Sequence, residues 1–248
     1  MIYLDKISTE APKDLSKKKI KEKTEKMAEE IAELQITLLA EQKHSLLVVL
    51  QGMDASGKNS SAKAAFEQCS PEGVDSYSFK APTEEELQHD FLWRIHKQVP
   101  RKGYIQLFNR SHYEDILIQR VHKWITEEQV HQRMQAINAF ETLLQHDNQT
   151  TILKFYLHLS QEEQQKELQE RIDDPSKNWK HNANDWEEAK HWDEYRKAYE
   201  YAINESVIPW HIIPADNAWY RNYLVTKTIL ETLQGLDMVR PTLKDRKK

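Results

Sequence analysis

Residues 52–63 read GMDASGKNSSAK, and this stretch decides the fold. It follows the apolar run Leu46–Leu50, whose length and composition predict a buried parallel strand. It leads into Ala64, Ala65 and Phe66, which continue as a helix. A strand, a glycine turn carrying Lys and a helix together make a phosphate-binding loop. Gly52 and Gly57 let the backbone bend closely around an anion, and the helix start offers unpaired N–H groups. Lys58 adds a full charge within reach of a terminal phosphate. The pattern has one gap: Asn59 stands where Ser or Thr would hold magnesium, and Ser60 and Ser61 come one and two residues late. Asp54, inside the loop, would repel a phosphate unless a cation sat between them, so it reads as a magnesium-facing group. The plainer alternative is a strand-to-helix turn with incidental Gly and Lys.

The 248 residues, 39% hydrophobic and 30% charged, fit one α/β domain with an insertion. Residues 1–44 read as an N-terminal helical extension, 45–248 as the main domain, and about 160–205 as the insertion. A single cysteine, Cys69, cannot form an internal disulfide, which points to a reducing cytoplasm. No apolar run approaches the roughly 20 residues that span a bilayer, and the N-terminus lacks a signal peptide's apolar core. A net charge of −5 disfavours nucleic acid as a partner, so an anionic substrate needs a local basic cluster.

Outward from the loop, residues 14–43 read as a long helix with Met27, Ile31, Leu34 and Leu38 on one face. Lys17–Lys19 is either a solvated face or a polyanion contact. Val74–Phe79 reads as a second strand, placing Lys80 at its carboxyl end, where α/β sheets collect ligands. Thr83 and Glu86 form a capping box that predicts a helix to about Val99, with Leu92 and Trp93 as core and His89 and His96 as ordinary surface or core histidines. Tyr104–Phe108 reads as a third strand running into NRSHYED, residues 109–115. Asn109 is the first polar residue there, and Glu114 and Asp115 could supply the missing charge or simply favour a helix dipole. Arg110 and Arg120 are placed to pair with phosphate oxygens. Thr126–Asp147 reads as a capped helix and Thr151–Leu159 as a fourth strand, in which Lys154 is an edge residue or points to the cleft. From Ser160 the chain becomes highly charged and predicts a helical lid, Gln161–Ile172 and Asp185–Asn204. Arg171 and Lys180 would swing over phosphates, and one of Trp186, Trp192, Tyr195 and Tyr199 is a candidate to stack on a base. Ile208–Ile213 and Asn217–Leu233 close the fold, and the tail beyond Gly235, ending DRKK, is expected to be mobile.

GMDASGKNSSAK, SFKAPT, FNRSHYED, HLSQEEQ, RIDDPSKNWK and HWDEYRKAYE, in this order, resemble the family 2 polyphosphate kinases over roughly residues 40–235. The resemblance implies a thymidylate-kinase-like P-loop core, a parallel sheet flanked by helices with a helical lid. It also implies Mg2+ (or Mn2+) and transfer of phosphoryl groups from polyphosphate to AMP and ADP, with GMP and GDP as further candidates. On that basis Lys58 and the loop backbone of Gly52, Ala55, Ser56, Gly57, Asn59, Ser60 and Ser61 hold the polyphosphate end. Asp54 binds the metal and orients the acceptor, with Asn109, Arg110 and Glu114 as the second wall. Lys80, Arg120, Lys154, Arg171 and Lys180 line or close the anion channel. Asn109 replaces an Asp common in the family and is similar to the class III branch, which accepts both nucleotides. A cytoplasmic dimer or tetramer is expected by the same analogy. The competing readings are an ATP-dependent nucleoside monophosphate kinase and a non-catalytic P-loop binding module.

Overall fold

The computed structural model describes residues 1–243, so the DRKK end lies outside the described residues. Strands β1 (Ser45–Gly52), β2 (Val74–Ser78), β3 (Ile105–Asn109), β4 (Thr150–His158) and β5 (Trp210–Pro214) form one parallel sheet in the order β2-β3-β1-β4-β5. Every residue of β1 is buried, as expected of a central strand covered on both faces. Its alternation splits the core. Leu47 and Val49 join one cluster, while Leu46, Val48 and Leu50 join the other. The register places Leu50 opposite both Asn109 and Phe155, so the carboxyl ends of β1 and β3 open at the same level.

The second cluster is closed by α1 (Lys17–Glu41), α2 (Lys58–Phe66) and α9 (Ala218–Gln234). The apolar face of α1 is therefore taken up within the chain: Met27, Ile31 and Leu38 are buried there. Residues 236–240 run back along α1, where Arg240 donates to Thr37 Oγ1. The first cluster lies under α5 (Glu127–Asn148), whose capping box of Thr126 and Gln129 forms as the sequence predicts. The segment before it is less regular than expected. The Thr83–Glu86 capping bonds form, yet they open only a short 3-10 turn. His89 is extended, Asp90 Oδ1 accepts from Leu92 N, and only α3 (Trp93–His96) follows. The Asp side chain competes with the helix for backbone donors.

The insertion is helical, with α6 (Gln161–Asp173), α7 (Ala183–Ala189) and α8 (Trp192–Glu205). The predicted second lid helix is thus two helices, broken at Lys190 and His191. An N-terminal strap ties down the roots of this lid. Ile2 and Leu4 N–H groups donate to Asn204 and Glu200 of α8. His158 Nε2 donates to the carbonyls of Leu4 and Ile7. Thr9 and Ser160, where α6 begins, both donate to Asp216. Among the described residues, no helix is long and apolar enough to cross a membrane.

Candidate active site

The loop after β1 turns through two left-handed residues, Ala55 (φ 66°) and Gly57 (φ 88°). Gly57 then caps α2. Lys58 folds back into the loop, its Nζ donating to Gly52 O (2.8 Å), Met53 O (3.0 Å) and Ser56 Oγ (3.4 Å). Its pKa falls to about 8 because burial disfavours the charge, against the pull of Asp54. The ammonium is thus held by neutral oxygens that a phosphate can replace.

At the end of β3 the chain turns sharply. Arg110 takes a left-handed φ of 63°, a strained conformation for a non-glycine residue and one that gathers at functional sites. The turn carries its guanidinium to Asp54 (2.5 Å) and towards Glu114 (3.9 Å). Burial works against the Arg110 charge, but the two carboxylates outweigh it and hold it protonated. Glu114 is raised above the usual carboxylate range, since burial outweighs Arg110 and Lys58. Asn109 Nδ2 donates to Asn59 Oδ1, so the two positions that depart from the expected pattern are partners of each other. Gln164 of α6 donates to Asp54 O (3.1 Å), joining the lid to the loop.

Two joined spaces meet at Asp54, Arg110 and Glu188. The smaller is narrow and is walled by Met53, Glu114, Trp192, Tyr195 and Tyr199. Glu188 is fixed there by His122 Nε2 (3.0 Å) and Tyr195 OH (2.6 Å). The larger is an open cleft of about 760 Å³ whose cations include Lys58, Lys80, Arg171, Lys177, Lys180 and Arg221. Arg171 spans the lid, donating to Asp185 Oδ2 of α7 (2.6 Å). Asp54 and Glu114 offer oxygen donors to a hard divalent cation. Among the described residues no three His, Cys, Asp or Glu side chains converge as a metal cage. Two carboxylates beside an open cleft can hold a hard divalent cation that completes its shell with substrate phosphates and water.

Three residues expected at the site lie elsewhere. Lys154 is fully buried beneath the sheet, bonded to Glu141 Oε2 and Tyr113 OH (each 2.6 Å), so it does not line the channel. A central strand leaves it nowhere to point but the interior, where Glu141 of α5 waits. Arg120, on α4 (Ile118–Val121), turns from the cleft to a bidentate pair with Glu127 and lies over the Tyr201 ring. Asp115 is drawn inward by Arg94 (3.4 Å) and Gln119 (2.7 Å). Conversely, sequence spacing alone does not single out Arg221, Asp185, Gln164 or Glu188. Arg221 left a faint trace: with Val225 and Ile229 it lies on the buried stripe of α9, an odd place for a charge.

The chain is similar to known proteins over most of its length. The family model described as polyphosphate kinase 2 matches residues 14–241. The AMP/ADP-polyphosphate phosphotransferase of Meiothermus ruber is 49% identical over 214 residues, covering 85% of this chain and 80% of the relative. The ADP-polyphosphate phosphotransferase of Rhodopseudomonas palustris is 40% identical over 228 residues, 86% of this chain and 78% of that one. The crystal structure of polyphosphate kinase 2 from Arthrobacter aurescens superposes with a TM-score of 0.94 at 40% identity, over 97% of this chain and 88% of its own.

Proposed function

The chain belongs to the polyphosphate kinase 2 family, and we propose that it moves the terminal phosphoryl group of inorganic polyphosphate to AMP and to ADP, giving ADP and ATP. The observation that carries this reading is the chemical contrast between the two joined spaces. The cationic cleft suits a long polyanion, and the aromatic walls of the smaller space offer faces on which a base can stack once the lid opens it. They meet at Asp54 and Arg110, the point where a transferred phosphoryl group would cross.

In this reading an anionic oxygen of the acceptor's terminal phosphate attacks the end phosphorus of the chain. The new P–O bond forms as the bond to the bridging oxygen breaks, and polyphosphate leaves one unit shorter. The attacking oxygen is already ionised, so no general base is needed; positioning and charge neutralisation do the work. Lys58 exchanges its carbonyl partners for the end of the donor, with the N–H groups of the first turn of α2 around it. Arg110 leaves the carboxylates it now pairs with and meets the transferred group. Bound Mg2+, or Mn2+ in its place, would be held by Asp54, Glu114 and the Asn109 amide oxygen, and would neutralise phosphate charge. Lys80, Arg171 and Lys180 draw the donor along the cleft, and α6–α8 close over it. The neutral Asn109 removes one repulsive charge beside ADP, which supports acceptance of both nucleotides as in the class III branch. GMP and GDP are further candidate acceptors. A dimer or tetramer, if formed in the cytoplasm, uses surfaces other than the apolar face of α1, which α9 and α2 already cover; light scattering tests it.

The decisive experiment compares initial rates with polyphosphate and with ATP as sole donor, for AMP, ADP and GMP, with products separated by chromatography. Turnover with polyphosphate on AMP, then on the ADP formed, is expected. Turnover with ATP alone would overturn the reading in favour of a nucleoside monophosphate kinase.

A further inference from the structure

Arg221 is 5% exposed and comes from α9, far along the chain from the phosphate loop. Its Nε donates to Ser61 Oγ (3.1 Å), its Nη1 to Ala215 O (3.3 Å) and its Nη2 to Ser60 Oγ. All of these acceptors are neutral. Asn222 Oδ1, a further acceptor at 3.3 Å, is neutral too. Glu167 is the one carboxylate that acts on this charge among the described residues, and it acts from a distance. Burial lowers the guanidinium to about pKa 10, with Glu167 opposing. A desolvated cation without a counter-ion is a cost carried at every pH below about 10, since the unfolded chain is protonated there too.

The fold keeps the guanidinium against the loop deliberately. A methyl group on Gly57 would overlap it, so the bare glycine is what allows the approach. Arg221 opens onto the cationic cleft with Gly57, Lys58, Ser60 and Lys177, and it takes no part in the aromatic pocket. An unneutralised guanidinium facing a groove for anions matches a phosphate better than it matches the hydroxyls now in place.

We propose that Arg221 is a donor-binding residue, holding the phosphate chain where it leaves the loop on the side away from the acceptor. This rests on polyphosphate being the donor. Ser60 and Ser61, which fill the places where a metal-binding hydroxyl is displaced, gain a role as the seat of this arginine.

The test uses the full chain as wild type, Arg221→Gln and Arg221→Lys, with thermal unfolding and steady-state kinetics. Long-chain inorganic polyphosphate is the probe. Arg221→Gln is expected to raise the KM for polyphosphate about tenfold or more, as loss of a charged hydrogen bond does. The KM for AMP should change by less than about twofold, and Arg221→Lys, which keeps the charge but not the fork, should fall between. Without ligand, Arg221→Gln should unfold at or above the wild-type temperature, and polyphosphate should raise its Tm less. An unchanged KM for polyphosphate with a lowered ligand-free Tm would overturn the proposal and make Arg221 a structural clamp. Should Arg221→Gln fail to fold, an unchanged polyphosphate KM in Arg221→Lys overturns it instead. A wild type that shows no Tm response to polyphosphate defeats the donor assignment itself, whereas equal responses in wild type and Arg221→Gln defeat only the role of Arg221.

Discussion

Cutting Glu141 back to alanine should unfold this protein more readily than almost any other single change. The carboxylate is fully buried and accepts from Lys154 Nζ at 2.6 Å, Tyr113 OH at 3.0 Å and His112 Nε2 at 3.1 Å. Burial pushes its pKa up, but His112 and Lys154 outweigh that and hold it below the usual carboxylate value of 4.5. Glu141→Ala strips buried Lys154 of its counter-charge and drives its already lowered pKa further down, a defect that costs about 3–5 kcal/mol. With a urea slope of about 3 kcal/mol per molar, the midpoint falls by about 1–1.7 M. The double variant Glu141→Leu with Lys154→Met removes both charges and should regain most of that loss, or exceed the wild type by about 1–4 kcal/mol. Because the folded pKa of Glu141 is depressed, its contribution is complete above pH 4.5 and disappears as the pH falls through the folded value. Equilibrium urea titrations of the three proteins at pH 7 and at pH 4 make the measurement. A loss below about 1 kcal/mol in Glu141→Ala, or a double variant less stable than the single, would refute the reasoning. Turnover should fall along with stability, since His112 and Tyr113 directly precede Glu114 and fix the turn that aims it.

Other consequences are tested more simply. Asp54→Ala and Lys58→Ala should each lower turnover at least about 100-fold while the fold survives, and near-normal rates in either would remove it from the site. Lys58 has a pKa of about 8 in the free protein, so it is charged below that pH and neutral above. Polyphosphate affinity should therefore weaken as pH rises past 8, an edge that Lys58→Arg should abolish when binding is followed by calorimetry. Glu114 is raised by burial, so its ionisation costs stability as pH climbs from 4.5 through its folded pKa; Glu114→Gln should melt higher than wild type at pH 7 yet turn over far more slowly. Asn109→Asp should shift the preference between AMP and ADP with polyphosphate binding largely kept, and a time course from AMP that looks identical in both proteins would count against Asn109 as the cause.

The loop after β1, the five strands along the chain and the charged helical insertion were legible because each rests on local signals. An apolar run, a glycine turn and a change to charged composition all fall within windows of ten to twenty residues. Lys154 was not legible, for a related reason. Its direction is decided by Glu141, on a helix that precedes it in the chain, and an apolar strand with one lysine reads the same whether that partner exists or not. Arg120 was lost to Glu127 and Tyr201 in the same way, through partners that only tertiary structure brings close. Arg221 shows the converse. It stands in an apolar stripe as a mismatch, and such a mismatch gains meaning only when Gly57 and two serines from the far end of the chain are seen beneath it.

The strap across the lid roots has a consequence for how the protein is made. Ile2 bonds to Asn204, 202 residues later, and Thr9 to Asp216, 207 residues later. At ribosomal speeds of about 5–20 residues per second, residues 2–11 wait roughly 10–40 s before their partners exist. During that interval the phosphate loop, its neighbouring strands and α5 can already assemble, while Leu4, destined for the core, stays in water. The clasp that steadies the lid is therefore among the last contacts to close on a nascent chain. Its loop-closure entropy is large, and the contacts of α1 with α9 and the segment after it share that cost. In hydrogen exchange on a refolding protein, the amides of Leu4 and Ile2 should gain protection after those of β1 and β3, and a bulky fusion placed directly before residue 2 would delay that step while leaving the loop to fold on schedule.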